Sequence, residues 1–278
     1  MDMRIDQLPA VLTSFAYRQE YFPELEGMTA SVREHHPDWW LVTGKGPLPG
    51  YEHPTLRVES PVGEFHWQLP VFFQLDGTEN DWLRIVWMKA WWVAKVWHLC
   101  GNQKGSGINR VVWLDADARV NGPLDILLEP EKEIVAGPWG GAEGTPDDHI
   151  LSGLLVFQGS SGGIVESIVE RWSAKCLSYI CNPPPPSSIW QYGEGDQEVL
   201  TTLLKDESED RFTLCKLDYN KYFGEPDYTT GTSRPGALVD QWMMNEKMRF
   251  PQNRDRDWPP PEQARHKLFY KKNDQGPV

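Results

Sequence analysis

Cysteine is scarce and irregularly placed in this chain. Cys100, Cys176, Cys181 and Cys215 form no CxxC pair and no finger spacing, which excludes a disulfide framework and a zinc finger. They read as reduced, structural thiols. No stretch approaches the roughly 20 apolar residues of a membrane span. The opening MDMRIDQLPAVLTSF has no apolar run long enough for a signal peptide. The expectation is a soluble, cytoplasmic protein without a membrane partner. Positive charge is also short: 27 Lys and Arg face 40 Asp and Glu, a formal net charge of −13. The whole molecule is therefore not a general binder of nucleic acid. No internal repeat is visible, which excludes solenoids and propellers.

Tryptophan, by contrast, is abundant, with 14 residues. Large aromatics dominate core burial, and a surplus suits a site that stacks sugars or bases. The charge is uneven. From Glu246 onward eight Lys and Arg meet five Asp and Glu, so the tail is mildly basic and the body acidic. The 278 residues fit one large α/β domain with an appendage. We place the domain at 1–250 and a Pro-rich, mildly basic extension at 251–278.

Strand and helix signals alternate. Ala10–Phe15, Trp39–Thr43, Arg110–Leu114, Ile134–Gly137, Ile150–Phe157, Phe212–Leu217 and Leu238–Trp242 carry short apolar runs and read as strands. Glu20–His35, Trp82–Leu99, Gly162–Cys176 and Gly195–Lys205 read as helices. Trp82–Leu99 is apolar around most of its circumference and should be buried. Lys45–Pro54 reads as a loop, and Pro61–Gly77 as a strand broken at Pro70. Such alternation predicts a sheet with helices on both faces, with ligands beyond the carboxyl ends of its strands.

The chemistry centres on Val111-Val112-Trp113-Leu114-Asp115-Ala116-Asp117. A buried strand delivers two carboxylates at its tip, and residues i and i+2 share a side of an extended chain. Carboxylates together with substrate phosphates are the usual ligands of Mg²⁺ or Mn²⁺. Such an ion neutralises a diphosphate leaving group. A bare DxD also occurs in turns and helix caps; its place after an apolar strand favours the metal.

Here the chain resembles the glycosyltransferase A-type superfamily of nucleotide-sugar transferases. Ala10–Ala16, with Tyr21 and Phe22, looks like that family's first strand and loop. Leu151-Ser152-Gly153 looks like its NSG strand, with Leu151 in place of Asn. Gly195-Asp196-Gln197-Glu198 looks like its acidic helix start, and Leu217-Asp218-Tyr219-Asn220 like a late segment. The resemblance implies a Rossmann-like α/β/α sandwich with a mixed, mainly parallel sheet. It implies a nucleotide-sugar donor, UDP-sugar favoured, with Mn²⁺ or Mg²⁺. Donor contacts would come from Thr13, Ser14, Phe15, Ala16, Tyr17, Lys89, Asp115, Ala116, Asp117, Ser152, Gly153 and Gln197. Metal ligands would be Asp115, Asp117 and Asp240, the last standing where many members carry His.

Asp196 is the first candidate for catalysis at the reacting sugar, and Glu194 the second. Helix capping by Gly195-Asp196 accounts for that carboxylate equally well. Lys89 on its apolar helix has the alternative of snorkelling to the surface. For the acceptor, the economy of the chain is similar to the TET/JBP-associated branch, which glycosylates hydroxymethylated pyrimidines in DNA, often in phages. The basic tail suits that acceptor and the net charge opposes it. The alternatives are a cytosolic transferase acting on a glycan, protein or small molecule, and an inactive nucleotide-sugar-binding scaffold.

Overall fold

The computed structural model describes residues 10–73, 75, 81–101, 108–129, 132–138, 150–160, 163–184, 194–207, 211–217, 223–224 and 236–241. The chain begins with β1 (Val11–Tyr17), α1 (Phe22–His35) and β2 (Trp40–Gly46). The helical crossover through α1 makes β1 and β2 parallel, Val11 opposite Trp40 through Tyr17 opposite Gly46. Next come β3 (Thr55–Ser60), β4 (Gly63–Gln68), α2 (Asp81–Gly101), β5 (Ile108–Leu114) and β6 (Ala118–Val120). The remainder is β7 (Ile134–Pro138), β8 (Ile150–Ser160), α3 (Ile164–Cys181), α4 (Asp196–Asp206), β9 (Leu214–Lys216), β10 (Phe223–Gly224) and β11 (Val239–Gln241).

One sheet has the order β4-β3-β2-β1-β5-β8-β7-β9. It is mixed and mainly parallel: six strands run one way, and β3 and β8 run against them. Alternation along β1 feeds two cores. Val11, Phe15 and Tyr17 join α2, α3 and α4 on one face. Leu12 and Ala16 join α1 and the turn at Asp125–Leu128 on the other. The α/β/α layering therefore follows from period-two burial on strands whose two faces are both covered. A second small sheet, β10-β11-β6, continues from the end of β5.

One expectation is corrected. The stretch expected to be a strand broken at Pro70 is the second arm of a β3–β4 hairpin, which turns at Pro61-Val62 and is followed by Gly63 at φ 129°. Its first arm, β3, was not expected. Leu56 and Val58 face inward while Arg57 points to solvent, a half-exposed strand whose signal is short. Among the described residues, no helix is long and apolar enough to cross a membrane. The four cysteines are free thiols. Burial pushes the Cys100 thiol up to about 12, as fits a structural role. The proposed extension at 251–278 and the segment Asp218-Tyr219-Asn220 lie outside the described residues.

Candidate active site

Strand β5 runs parallel to β1 and ends at Leu114, so Asp115 emerges at the carboxyl end of the sheet's middle. The Asp115 N–H donates to the Gly153 carbonyl at 2.9 Å, and Ala118 N–H donates back to the Asp115 carbonyl at 2.9 Å. These bonds turn the chain sharply through Ala116 and Asp117 into β6. Trp113, two residues earlier and on the same side of the strand, donates its indole N–H to Asp115 Oδ1 at 2.9 Å.

Lys89 is the hub. It rises from α2, whose apolar circumference packs under β1 and β5, and only 8% of it is exposed. Its Nζ lies 2.9 Å from Asp115 Oδ1 and 3.2 Å from Asp196 Oδ2. It donates to the Ser152 hydroxyl at 2.9 Å and the Ser152 carbonyl at 3.2 Å. The Trp113 ring lies 5.5 Å from the ammonium. Lys89 therefore does not snorkel. Burial works against its charge, but Asp115 and then Asp196 outweigh it and hold the pKa above the ordinary lysine value.

Asp196 opens α4 and is 3% exposed. Its carboxylate turns to Lys89 and leaves the cap to others: Gly195 is the N-cap, and Glu198 Oε2 accepts the Gly195 N–H at 2.7 Å. Burial raises the Asp196 pKa, and the neighbouring Lys89 pulls it back. The Trp172 indole N–H donates to the Asp196 carbonyl at 2.8 Å and fixes the helix start. Glu194 is held twice: Tyr179 donates to its Oε2 at 2.5 Å, and Trp87 to its carbonyl at 2.9 Å. Gln197 donates to Glu198 Oε1 at 2.9 Å, so its amide supports the cap.

The first-strand residues occupy the interior. Thr13 donates to the Val42 carbonyl at 2.7 Å and accepts the Trp92 indole N–H at 2.6 Å. Ser14, Phe15, Ala16 and Tyr17 are all buried in β1. Asp240 is wholly buried on β11 and pairs in register with Arg119, two residues beyond Asp117. The three carboxylates Asp115, Asp117 and Asp240 thus belong to one strand junction. Among the described residues they do not gather their oxygens into a closed three-ligand cluster. Their hard oxygen chemistry fits a Mg²⁺- or Mn²⁺-class ion, which completes its shell with waters and substrate phosphates.

The structure brings Lys89, Asp115, Ser152 and Asp196 into direct contact and sets Gly153, Ala116 and Asp117 at the same turn. Sequence reasoning missed Trp113, Trp172, Trp87 and Tyr179 as groups that orient the acids. Only Trp113 was within reach of a sequence argument, by its i, i+2 relation to Asp115. Trp172 reaches Asp196 across 24 residues, and Trp87 reaches Glu194 across 107.

No protein-family model matches this chain, and no curated protein matches it. Solved structures of similar outline exist. One is the apo glycosyltransferase GlyE of Streptococcus pneumoniae TIGR4, 13% identical, with a TM-score of 0.48 over 86% of this chain and 56% of that one. The chain thus spans little more than half of that protein. A glycosyltransferase that acts in glycosylation of the major capsid of PBCV-1 is 11% identical, with a TM-score of 0.48 over 84% of this chain and 91% of that one. The galactosyltransferase LgtC, solved with donor and acceptor sugar analogues, is 14% identical, with a TM-score of 0.42 over 83% and 86%. They assign this chain no residue roles, donor or acceptor.

Proposed function

We propose that the protein is a metal-dependent glycosyltransferase that takes a sugar from a nucleotide-diphosphate-sugar. One observation carries the proposal: the DxD turn at the carboxyl end of β5 is joined through buried Lys89 to Asp196 at the start of α4. A buried lysine shared between two carboxylates from separate elements goes beyond what a turn or a cap requires and marks a functional-site candidate. Asp117, with Asp115 and Asp240 at the same junction, would hold Mn²⁺ or Mg²⁺; the ion supplies Lewis-acid stabilisation of the diphosphate leaving group.

The protein's own residues do the positioning. Lys89 keeps Asp115 and Asp196 at fixed separation, and Trp113 fixes which oxygen Asp115 presents to it. Asp196 and Glu194 stand at the helix start next to the reacting sugar and serve as its acidic groups. UDP-sugar is the favoured donor on the family resemblance. For the acceptor we place the hydroxyl of a hydroxymethylpyrimidine in DNA first, because basic residues concentrate from Glu246 onward. A glycan, protein or small-molecule hydroxyl is the alternative outcome of the same test.

Calorimetric titration with UDP, GDP and dTDP, with and without Mn²⁺, tests the proposal. One nucleotide should bind in a metal-dependent way, and Asp117→Ala should abolish that binding without unfolding the protein. Failure of all three to bind with Mn²⁺ present would reject the transferase.

A further inference from the structure

Where α2 and α3 pack together, they expose a cluster that the proposed transferase does not use. His98 sits in the last turn of α2, and Glu166 and Glu170 lie one turn apart near the start of α3. His98 Nδ1 is 3.9 Å from Glu166 Oε1, and His98 Nε2 is 3.5 Å from Glu170 Oε1. One ligating atom from each of the three residues lies within 4.8 Å of the other two, the one such group among the described residues. Glu166 and Glu170 share a helix face by their i, i+4 spacing.

The scaffold beneath is rigid. Trp97 of α2 and Ile168, Val169 and Trp172 of α3 are fully buried between the helices and the sheet. Ligands on packed helices are held more firmly than ligands on loops. A cation bound at about 2.0–2.2 Å to each ligand needs ligating atoms roughly 3–4 Å apart, so the set closes when the His98 ring turns one nitrogen toward both carboxylates. His98 and Glu170 are about half exposed, at 44% and 54% of their side chains, which leaves room for waters to complete the shell.

We infer that His98, Glu166 and Glu170 form a surface site for a zinc-class divalent cation that clips α2 to α3. An imidazole nitrogen beside two carboxylates suits Zn²⁺, Co²⁺ or Ni²⁺; Mg²⁺ and Ca²⁺ prefer oxygen alone. Without metal, the imidazole rests between the two carboxylates. The clip bears on the candidate active site through the scaffold: α2 carries Lys89, and α3 carries Trp172, which holds the start of α4. The site stands whether or not the chain transfers sugar.

Zn²⁺ titration calorimetry of the full chain, paired with Co²⁺ absorption spectroscopy, tests it. Besides any ion taken by the DxD turn, one Zn²⁺ should bind per chain through His98 and Glu170 and raise Tm, and excess Mg²⁺ should not displace it. His98→Gln and Glu170→Gln should each weaken Zn²⁺ binding at least about tenfold, the usual range for loss of a ligand or its support. Exposed ion pairs contribute little to stability, so both variants should fold, and Glu170→Gln tests the site independently of His98→Gln. In Asp117→Asn the Zn²⁺ binding that His98→Gln weakens should persist, which separates this site from the DxD turn. The Co²⁺ spectrum should show ligand-field bands without a thiolate charge-transfer band. No Zn²⁺ binding, undiminished binding in both variants, or a thiolate band pointing to Cys181 or Cys215 would overturn the inference.

Discussion

A lysine on an apolar helix has two ways to keep its charge: it reaches water, or it is buried against carboxylates. Lys89 takes the second way, and two acids depend on it. Lys89→Met would leave Asp115 and Asp196 close together without their shared cation. The expected loss is roughly 3–5 kcal/mol, the range for breaking a buried pair from one side. Urea denaturation reads it, and a loss under about 1 kcal/mol would place the ammonium in an effectively solvated position. Asp196→Asn keeps the shape and removes the charge. If the carboxylate acts at the reacting sugar, kcat should fall far more than nucleotide affinity. An unchanged kcat would give Asp196 a purely structural role. At the helix start Gly195 and Glu198 make the cap bond, and the Asp196 carboxylate pairs with Lys89 instead. His36 shows the converse limit. It follows α1 directly, and in the fold it is buried, stacks on Trp39 at 4.0 Å and accepts the Leu124 N–H at 2.8 Å.

At the scale of elements, α4 carries its own pH dependence. Burial pushes the Glu198 carboxyl up to about 7 from an ordinary 4.5. Between those values the folded state binds a proton that the unfolded chain has released, so this group makes stability fall as pH rises from 4.5 to about 7. Glu198→Gln keeps a capping side chain and removes the titration. Its stability should vary less with pH across that window, as measured by urea midpoints at several pH values; an identical pH profile would mean that Glu198 stays charged when folded. A Cβ at Gly195 would lie 2.7 Å from Glu198 Oε2, so Gly195→Ala requires that carboxylate to turn away from the Gly195 N–H. Gly195→Ala should therefore weaken the cap of α4 by roughly 1 kcal/mol, read by the urea midpoint. Most elements were legible because their periods are clean: β1, β5 and β8 are apolar runs bounded by polar turns, and α2 has no interior Gly or Pro. β3 escaped because it lies in an edge hairpin with one face in water, where Arg57 and Glu59 interrupt the apolar signal. The DxD was legible as a motif, whereas its link to Asp196 through Lys89 was not. That link needs α2 under the sheet and α4 beside β8, which is tertiary information.

Over the whole molecule, the acidic body and basic tail set the electrostatic problem. A chain of net charge −13 that acts on DNA must confine its phosphate contacts to a basic segment. Arg249, Arg254, Arg256, Lys267, Lys271 and Lys272, with Trp242, Trp258 and Tyr270 as stacking platforms, are the candidates from sequence, and they lie outside the described residues. Truncation after Lys247 should reduce transfer to hydroxymethylated DNA more than donor hydrolysis, and DNA binding should weaken steeply with salt. Nucleosides from treated DNA, weighed by mass spectrometry, decide the acceptor: no added sugar on hydroxymethylcytosine or hydroxymethyluracil moves it to another class. The central claim, that the Asp115–Lys89–Asp196 site transfers sugar with a metal at Asp117, meets its most direct test before any acceptor is known. Nucleotide release from UDP-, GDP- and dTDP-sugars is measured with Mn²⁺ and with EDTA. The expected result is release from one nucleotide class with Mn²⁺, lost in EDTA and in Asp117→Ala. Equal release in EDTA, or none from any donor with Mn²⁺ present, would contradict it.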